Sequence, residues 1–176
     1  MDEKKVAIFC AASTKVPDKY NEAAREVVRA LHALNYTILS GGGAVGTMGA
    51  ITDESVRCGG RHIGVLPRFM KGLENPGIEV VWTDSMAARK EYMRQDICAA
   101  IALPGGIGTL DELVETQTLK KLHRYEGALY ALNLDGFFDP YIALMDHFVE
   151  EGTLEPRDMD LLFFPRTVAD LIACFE

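Results

Sequence analysis

The sequence lacks most of the features that would mark a metal site, a disulfide framework or a membrane anchor. Its four cysteines, Cys10, Cys58, Cys98 and Cys174, are scattered, and no pair has Cys-x-x-Cys spacing. The four histidines, His32, His62, His123 and His147, are equally isolated. Neither a zinc site nor a disulfide scaffold is therefore expected. The thiols read as reduced and mostly buried, as in a cytoplasmic protein. No apolar run approaches the roughly 20 residues of a membrane span. The opening MDEKKVAIFCAAS has acids ahead of a short apolar run, which reads as a first strand and not a signal peptide. Cations are also in short supply, with 18 Lys and Arg against 26 Asp and Glu, a net charge of −8. An acidic surface repels nucleic acid and anionic lipid, so neither is an expected partner. A local basic site for a small phosphate compound is still compatible with it.

What is present is a chain of 176 residues, 48% of them apolar, enough to bury a core as one domain over 1–176. Short β-rich runs alternate with longer amphipathic ones. Strands are expected over 6–10, 37–39, 62–66, 78–82, 97–103 and 128–133. Helices are expected near 19–34, 45–58, 86–96, 110–122, 140–150 and 167–175. Ala23, Val27, Ala30, Leu31 and Leu34 give the first helix its apolar stripe. The runs IGVL and ICAAIAL are almost continuously apolar, as in strands covered on both faces. The alternation predicts a doubly wound α/β fold, a parallel sheet flanked by helices. The segment 68–77 reads as a loop, and 152–165 as a short strand with turns.

Two glycine-rich turns stand out, SGGGAVGTMG over 40–49 and LPGGIGTLDE over 103–112. Each follows a strand-like run and leads into a helix. Ligands of parallel sheets bind beyond the carboxyl ends of the strands. A helix start offers free N–H groups and the positive end of the macrodipole. The pair therefore reads as a phosphate-binding cleft, although glycines also serve plain strand-to-helix turns. Gly41, Gly43 and Gly46 satisfy G-x-G-x-x-G, a weak signal alone. No acid ends the next strand for a dinucleotide ribose, since Pro67 and Arg68 follow it. No Gly-Lys-Ser/Thr follows either turn, which excludes a P-loop.

In DSMAARKEYMRQD, over 84–96, Met86, Arg89, Lys90 and Met93 share a helix face. Two cations thus sit among buried-type methionines. Either they snorkel to water or they reach the phosphate cleft, at whose rim this helix also begins. Thr109 and Glu112 match a capping box. Glu112 is then either a capping residue or a carboxylate at the cleft rim, with Asp111 beside it as a dipole-stabilising acid.

GGGAVGTMG, MAARKEYM and PGGIGTLDE, in that order, resemble the LONELY GUY (LOG) family of cytokinin riboside 5′-monophosphate phosphoribohydrolases, often mislabelled as lysine decarboxylases. The resemblance runs from Val6 to about Leu171 and includes LNLDGFFDPYIALMDHFVEEG. It implies a Rossmann-like sheet, a homodimer and a nucleotide substrate. The activity implied is hydrolysis of adenine-type nucleoside 5′-monophosphates to free base and ribose 5-phosphate. By motif position it implies Arg89 and Glu112 as the catalytic pair. Lys90, Gly105, Gly106, Gly108 and Thr109 are the implied substrate contacts, with Ser13 and Gly41, Gly42 and Gly43 helping to hold the nucleotide. The residues suit that chemistry. Glycosidic cleavage develops positive charge on the sugar, which Glu112 would oppose, while Arg89 would steady the departing base. No metal or organic cofactor is required, and no Schiff-base lysine with a ring-nitrogen acid is evident. The stretches LVETQTLKKL, with Gln117 and Lys120, and HRYEGALYAL depart from the plant pattern. They leave the preference for a prenylated over a plain adenine open. A nucleotide-binding module without catalysis is the alternative reading, and a nicotinamide-dependent oxidoreductase is disfavoured by the missing ribose acid.

Overall fold

The computed structural model describes residues 4–176; the acids Asp2 and Glu3 of the opening stretch lie outside the described residues. Six strands form one sheet: β1 (Lys5–Phe9), β2 (Thr37–Ser40), β3 (His62–Pro67), β4 (Glu79–Thr83), β5 (Ala99–Ala102) and β6 (Ala128–Ala131). All pair in parallel, in the order β4-β3-β2-β1-β5-β6. The helices are α1 (Asp18–Ala33), α2 (Gly46–Cys58), α3 (Met86–Arg94), α4 (Ile107–Lys121), α5 (Asp139–Glu150) and α6 (Val168–Ala173).

Side chains alternate across each strand, so one short sequence serves two cores. Val6 and Ile8 of β1 join Val27 and Leu31 of α1 and Leu171 of α6 on one face. Ala7 and Phe9 join Met93 of α3 and Leu113 of α4 on the other. Leu31, Leu113, Ile8 and Ile101 are fully buried, each worth about 1.5–3 kcal/mol relative to exposure. This two-sided cover explains the unbroken apolar runs of the central strands.

Three expectations need correction. Helix α4 begins at Ile107 behind an extended Gly106 (φ −97°, ψ −153°), three residues before the expected Leu110. Its first turn therefore contains Thr109, which the capping reading had placed outside it. Among the cysteines, all free, Cys10 is buried but Cys58, Cys98 and Cys174 are exposed. Each exposed one lies at or next to an element's end, where cover from neighbours is thin. The segment 152–165 holds a 3₁₀ turn at Pro156–Leu161. Phe163 then bridges in parallel to Tyr130, donating its N–H to Leu129 O at 3.0 Å and accepting from Ala131 N at 2.9 Å.

The strand order reverses between β1 and β5. The chain leaves β1 towards β2 on one side and returns, after β4, to place β5 on the other. Such a switch point opens a crevice at the carboxyl ends of the two strands.

Candidate active site

The crevice is a cavity of about 360 Å³. Its walls are Cys10, Ala11, Ala12 and Ser13 after β1, Met48 of α2, Met70 of the turn after β3, Met86 and Arg89 of α3, and Gly106, Gly108, Thr109, Asp111 and Glu112 at the start of α4.

Arg89 is delivered by a well-capped helix. Ser85 Oγ accepts the Ala88 N–H at 3.0 Å, and Arg89 lies one turn on, sharing the buried face with Met93. The Arg89 side chain is 8% exposed and that of Glu112 9%. Arg89 Nε donates to Val65 O at 2.8 Å. Arg89 Nη1 donates to Glu112 Oε1 at 2.8 Å. A carboxylate this deep is disfavoured in its charged form. Burial pushes the Glu112 pKa above its usual value, with Arg89 pulling against the rise. Cys10 sits against the same pair, and burial followed by the Glu112 charge pushes its thiol far up. It remains a neutral, unreactive wall.

The capping box does not form. Glu112 reaches Arg89 instead of the Thr109 N–H, and Gly106 is the N-cap residue, without a side chain to cap. The first bond closing α4 runs from Leu110 N to Gly106 O at 3.0 Å. The N–H groups of Ile107, Gly108 and Thr109 precede it and are the free donors of the helix start. Thr109 is 3% exposed, and its buried Oγ1 has no hydrogen-bond partner. Gly105 makes room for that hydroxyl, since a methyl there would collide with Thr109 Oγ1. A donor set of amides and an unpartnered hydroxyl, beside the positive end of α4, suits an anion.

The remaining expected residues fall in three places. Ser13 lines the main cavity, and together with Gly105 and Gly106 it also lines an adjoining one of about 240 Å³ beside Tyr20 and Phe137. Lys90 is not among the walls of either. Its ammonium pairs with Asp111 at 2.9 Å and Glu115 at 2.8 Å, so the two neighbouring cations divide, one into the site and one to its edge. Gly41, Gly42 and Gly43 are not among the cavity's walls. Gly41 lies behind Arg89, where a methyl would strike Nη2; a methyl on Gly42 (φ +69°) would strike the Gly64 backbone, and one on Gly43 would press on Met48 Sδ. Sequence reading missed Cys10, Met48 and Met70 as walls. Met48 sits within the first glycine motif and could have been flagged. Met70 ends a single 3₁₀ turn, Arg68–Met70, too short to leave a periodic signal.

The sheet order and the crevice at its switch point define a Rossmann-like α/β protein. Among solved structures, the molybdenum cofactor carrier protein of Chlamydomonas reinhardtii matches with a TM-score of 0.76 at 18% identity, covering 99% of this chain and 96% of that one. The molybdenum cofactor binding protein of Rippkaea orientalis matches with a TM-score of 0.74 at 16% identity, covering 99% and 96%. These establish likeness of fold alone. A family model described as "Possible lysine decarboxylase" matches residues 48–175. Probable cytokinin riboside 5′-monophosphate phosphoribohydrolase LOGL2 of Oryza sativa subsp. japonica is 36% identical over 177 residues, spanning 98% of this chain and 72% of that protein. Cytokinin riboside 5′-monophosphate phosphoribohydrolase LOG3 of Arabidopsis thaliana is 33% identical over 177 residues, spanning 98% and 82%. The chain belongs to this family, the LOG family. Lys90, beside the site, is held in two ion pairs.

Proposed function

We propose that this chain is a phosphoribohydrolase that cleaves the N-glycosidic bond of nucleoside 5′-monophosphates to free base and ribose 5-phosphate. The observation that carries the reading is the buried Arg89–Glu112 pair, set one turn of α4 beyond the unpartnered Thr109 hydroxyl. The 5′-phosphate takes the α4 amides and Thr109, with Gly105, Gly106, Gly108 and Ser13 shaping its seat. Lys90 at the edge offsets the charge of Asp111 and Glu115, and the turn of Gly41, Gly42 and Gly43 contributes through the packing of Gly41 on Arg89. The sugar then lies against Glu112. As the C–N bond breaks, the carboxylate opposes the positive charge on the sugar and orients the water that adds to the anomeric carbon. Arg89 steadies the electron pair leaving with the base, which takes up a proton. Each turnover consumes one water and gives one base and one ribose 5-phosphate.

AMP or an N6-modified, cytokinin-type AMP is the proposed substrate. Met48, Met70 and Met86 supply apolar, adaptable walls for a base and its substituent. The test is a product assay across AMP, GMP, CMP and N6-isopentenyl-AMP. Base and ribose 5-phosphate in equal amounts from the adenine nucleotides support the reading. Tight binding without turnover transfers the site to a non-catalytic nucleotide-binding module.

A homodimer is proposed as the working state. Leu110 and Val114 of α4 and Leu144 and Phe148 of α5 are each 37–45% exposed and line one groove of about 310 Å³. An apolar face of this kind marks an association surface. The free thiols and acidic balance fit a reducing compartment, and the cytoplasm is the proposed location. No helix among the described residues is long and apolar enough to cross a membrane.

A further inference from the structure

The first glycine turn is unexplained by the cavity, because its three consecutive glycines do not line it. A hydrogen-bonded chain behind the turn shows what it is tied to. The Gly42 N–H can only donate, and Ser40 Oγ accepts it at 3.1 Å. Ser40 Oγ lies 2.7 Å from His62 Nε2. His62 Nδ1 lies 2.9 Å from Ser55 Oγ. Ser55 Oγ lies 2.9 Å from His32 Nε2, and His32 Nδ1 lies 3.1 Å from Tyr36 O.

One assignment of protons pairs every group in the chain, with Ile51 O at 3.0 Å as a second acceptor open to the Ser55 hydroxyl. Tyr36 O can only accept, so His32 Nδ1 carries a proton and, in the neutral ring, Nε2 accepts from the Ser55 hydroxyl. His62 Nδ1 then donates to Ser55 Oγ, and His62 Nε2 accepts the Ser40 hydroxyl proton. No donor or acceptor in the chain is left over. Burial, then the proximity of His32, pushes the His62 imidazole down to about 3, so it stays neutral over any working pH. If His32 gains a proton, the Ser55 hydroxyl turns to Ile51 O, already 3.0 Å away, and His62 keeps both of its bonds.

We infer that His62 is a positioning residue: through Ser40 it pins the Gly42 amide, and so holds the first glycine turn against the Arg89 guanidinium that faces Glu112. The contact is close enough that a methyl at 41 would displace the ends of the Arg89 and Met48 side chains. Arg89 is thus held on three sides, by Val65 O, by Glu112 and by this turn. Within the turn, Gly41 packs on the arginine, while Gly42 is fitted to Gly64 and Leu66 and Gly43 to Met48. The inference rests on Arg89 and Glu112 being the reacting pair.

The test compares Ser40→Ala and His62→Leu, which break the chain, with His62→Gln, whose amide oxygen restores an acceptor for Ser40. Two readouts are taken from folded protein, checked by thermal melting. The first is exchange of the Arg89 side-chain Nε–H with solvent, followed by ¹⁵N NMR without any nucleotide. The second is turnover of AMP. Ser40→Ala and His62→Leu are expected to speed the Arg89 Nε–H exchange and to lower kcat about 10-fold with KM changed less than about 3-fold, since misplacing a reacting group costs rate. His62→Gln is expected to restore both. Arg89 exchange unchanged in Ser40→Ala overturns the inference, as does a loss that appears in KM alone. If His62→Leu does not fold, Ser40→Ala decides alone. The exchange readout needs no substrate. Wild-type protein inactive on every nucleotide would therefore sink the proposed activity and leave this relationship separately measurable.

Discussion

Nη1 of Arg89 lies 2.8 Å from Oε1 of Glu112 inside a cavity whose other walls are mostly small or apolar side chains, with Asp111 a second carboxylate among them. Each of the two charges depends on the other for its burial. A buried ion pair is poor evidence for stability, because desolvation offsets much of the attraction. Its placement at a ligand crevice therefore points to chemistry.

Replacing Glu112 with Gln keeps the shape and removes the charge. Turnover of AMP is expected to fall by about 10²–10⁴-fold, while AMP binding measured by calorimetry changes little. A variant that loses binding and keeps kcat would move Glu112 from the sugar to the phosphate.

The same carboxylate sets an acid limb in the rate. Its pKa is raised above 4.5 by burial, with Arg89 opposing. Only the ionised form opposes the sugar's positive charge, so kcat/KM should rise with pH through a value above 4.5 and level off. In the Glu112→Gln variant this limb should vanish from the residual rate. A limb that survives unchanged belongs to another group.

Gly105→Ala drives a methyl into Thr109 Oγ1. The hydroxyl must turn out of the phosphate seat, and a lost hydrogen bond to a charged group is worth about 1.5–3 kcal/mol. KM for AMP is expected to rise about 10-fold or more, at 1.4 kcal/mol per factor of ten. Binding of the plain nucleoside, which has no phosphate, should barely change, and titration of both ligands separates the two effects.

Glu54 is a stability element remote from the cavity. Arg57 and Arg29 bind its carboxylate and hold it down to about 2 from 4.5. A depressed carboxylate contributes stability that is complete above 4.5 and is lost as pH falls through about 2. Glu54→Gln should cost about 1–2 kcal/mol at neutral pH, a modest figure because both arginines keep water contact. In urea melts the gap between wild type and variant should close as pH falls over that window.

Much of this was legible in the chain, for identifiable reasons. The apolar runs at Ile101 and Val65 gave parallel strands covered on both faces, because burial on two sides leaves no room for alternation. The second glycine turn located the crevice, while the glycines of the first lie off its walls. The spacing around Arg89 gave two cations on one face but could not say that only Arg89 turns inward. That division is decided by Asp111 and Glu115, which come from α4 and capture Lys90. Thr109 and Glu112 fit a capping pattern that local sequence favours and tertiary contact overrides, since Arg89 offers the carboxylate a stronger partner than a backbone amide. The chain from Gly42 to Tyr36 joins residues of β2, β3, α1 and α2, and no local pattern could reveal it.

A crystal structure of the Glu112→Gln variant with AMP decides whether the nucleotide's sugar lies at residue 112. The phosphate is expected on the N–H groups of Ile107, Gly108 and Thr109, with the anomeric carbon facing residue 112 and the base near Arg89. A nucleotide bound with its phosphate elsewhere, or with the sugar–base bond turned away from residue 112, would contradict it.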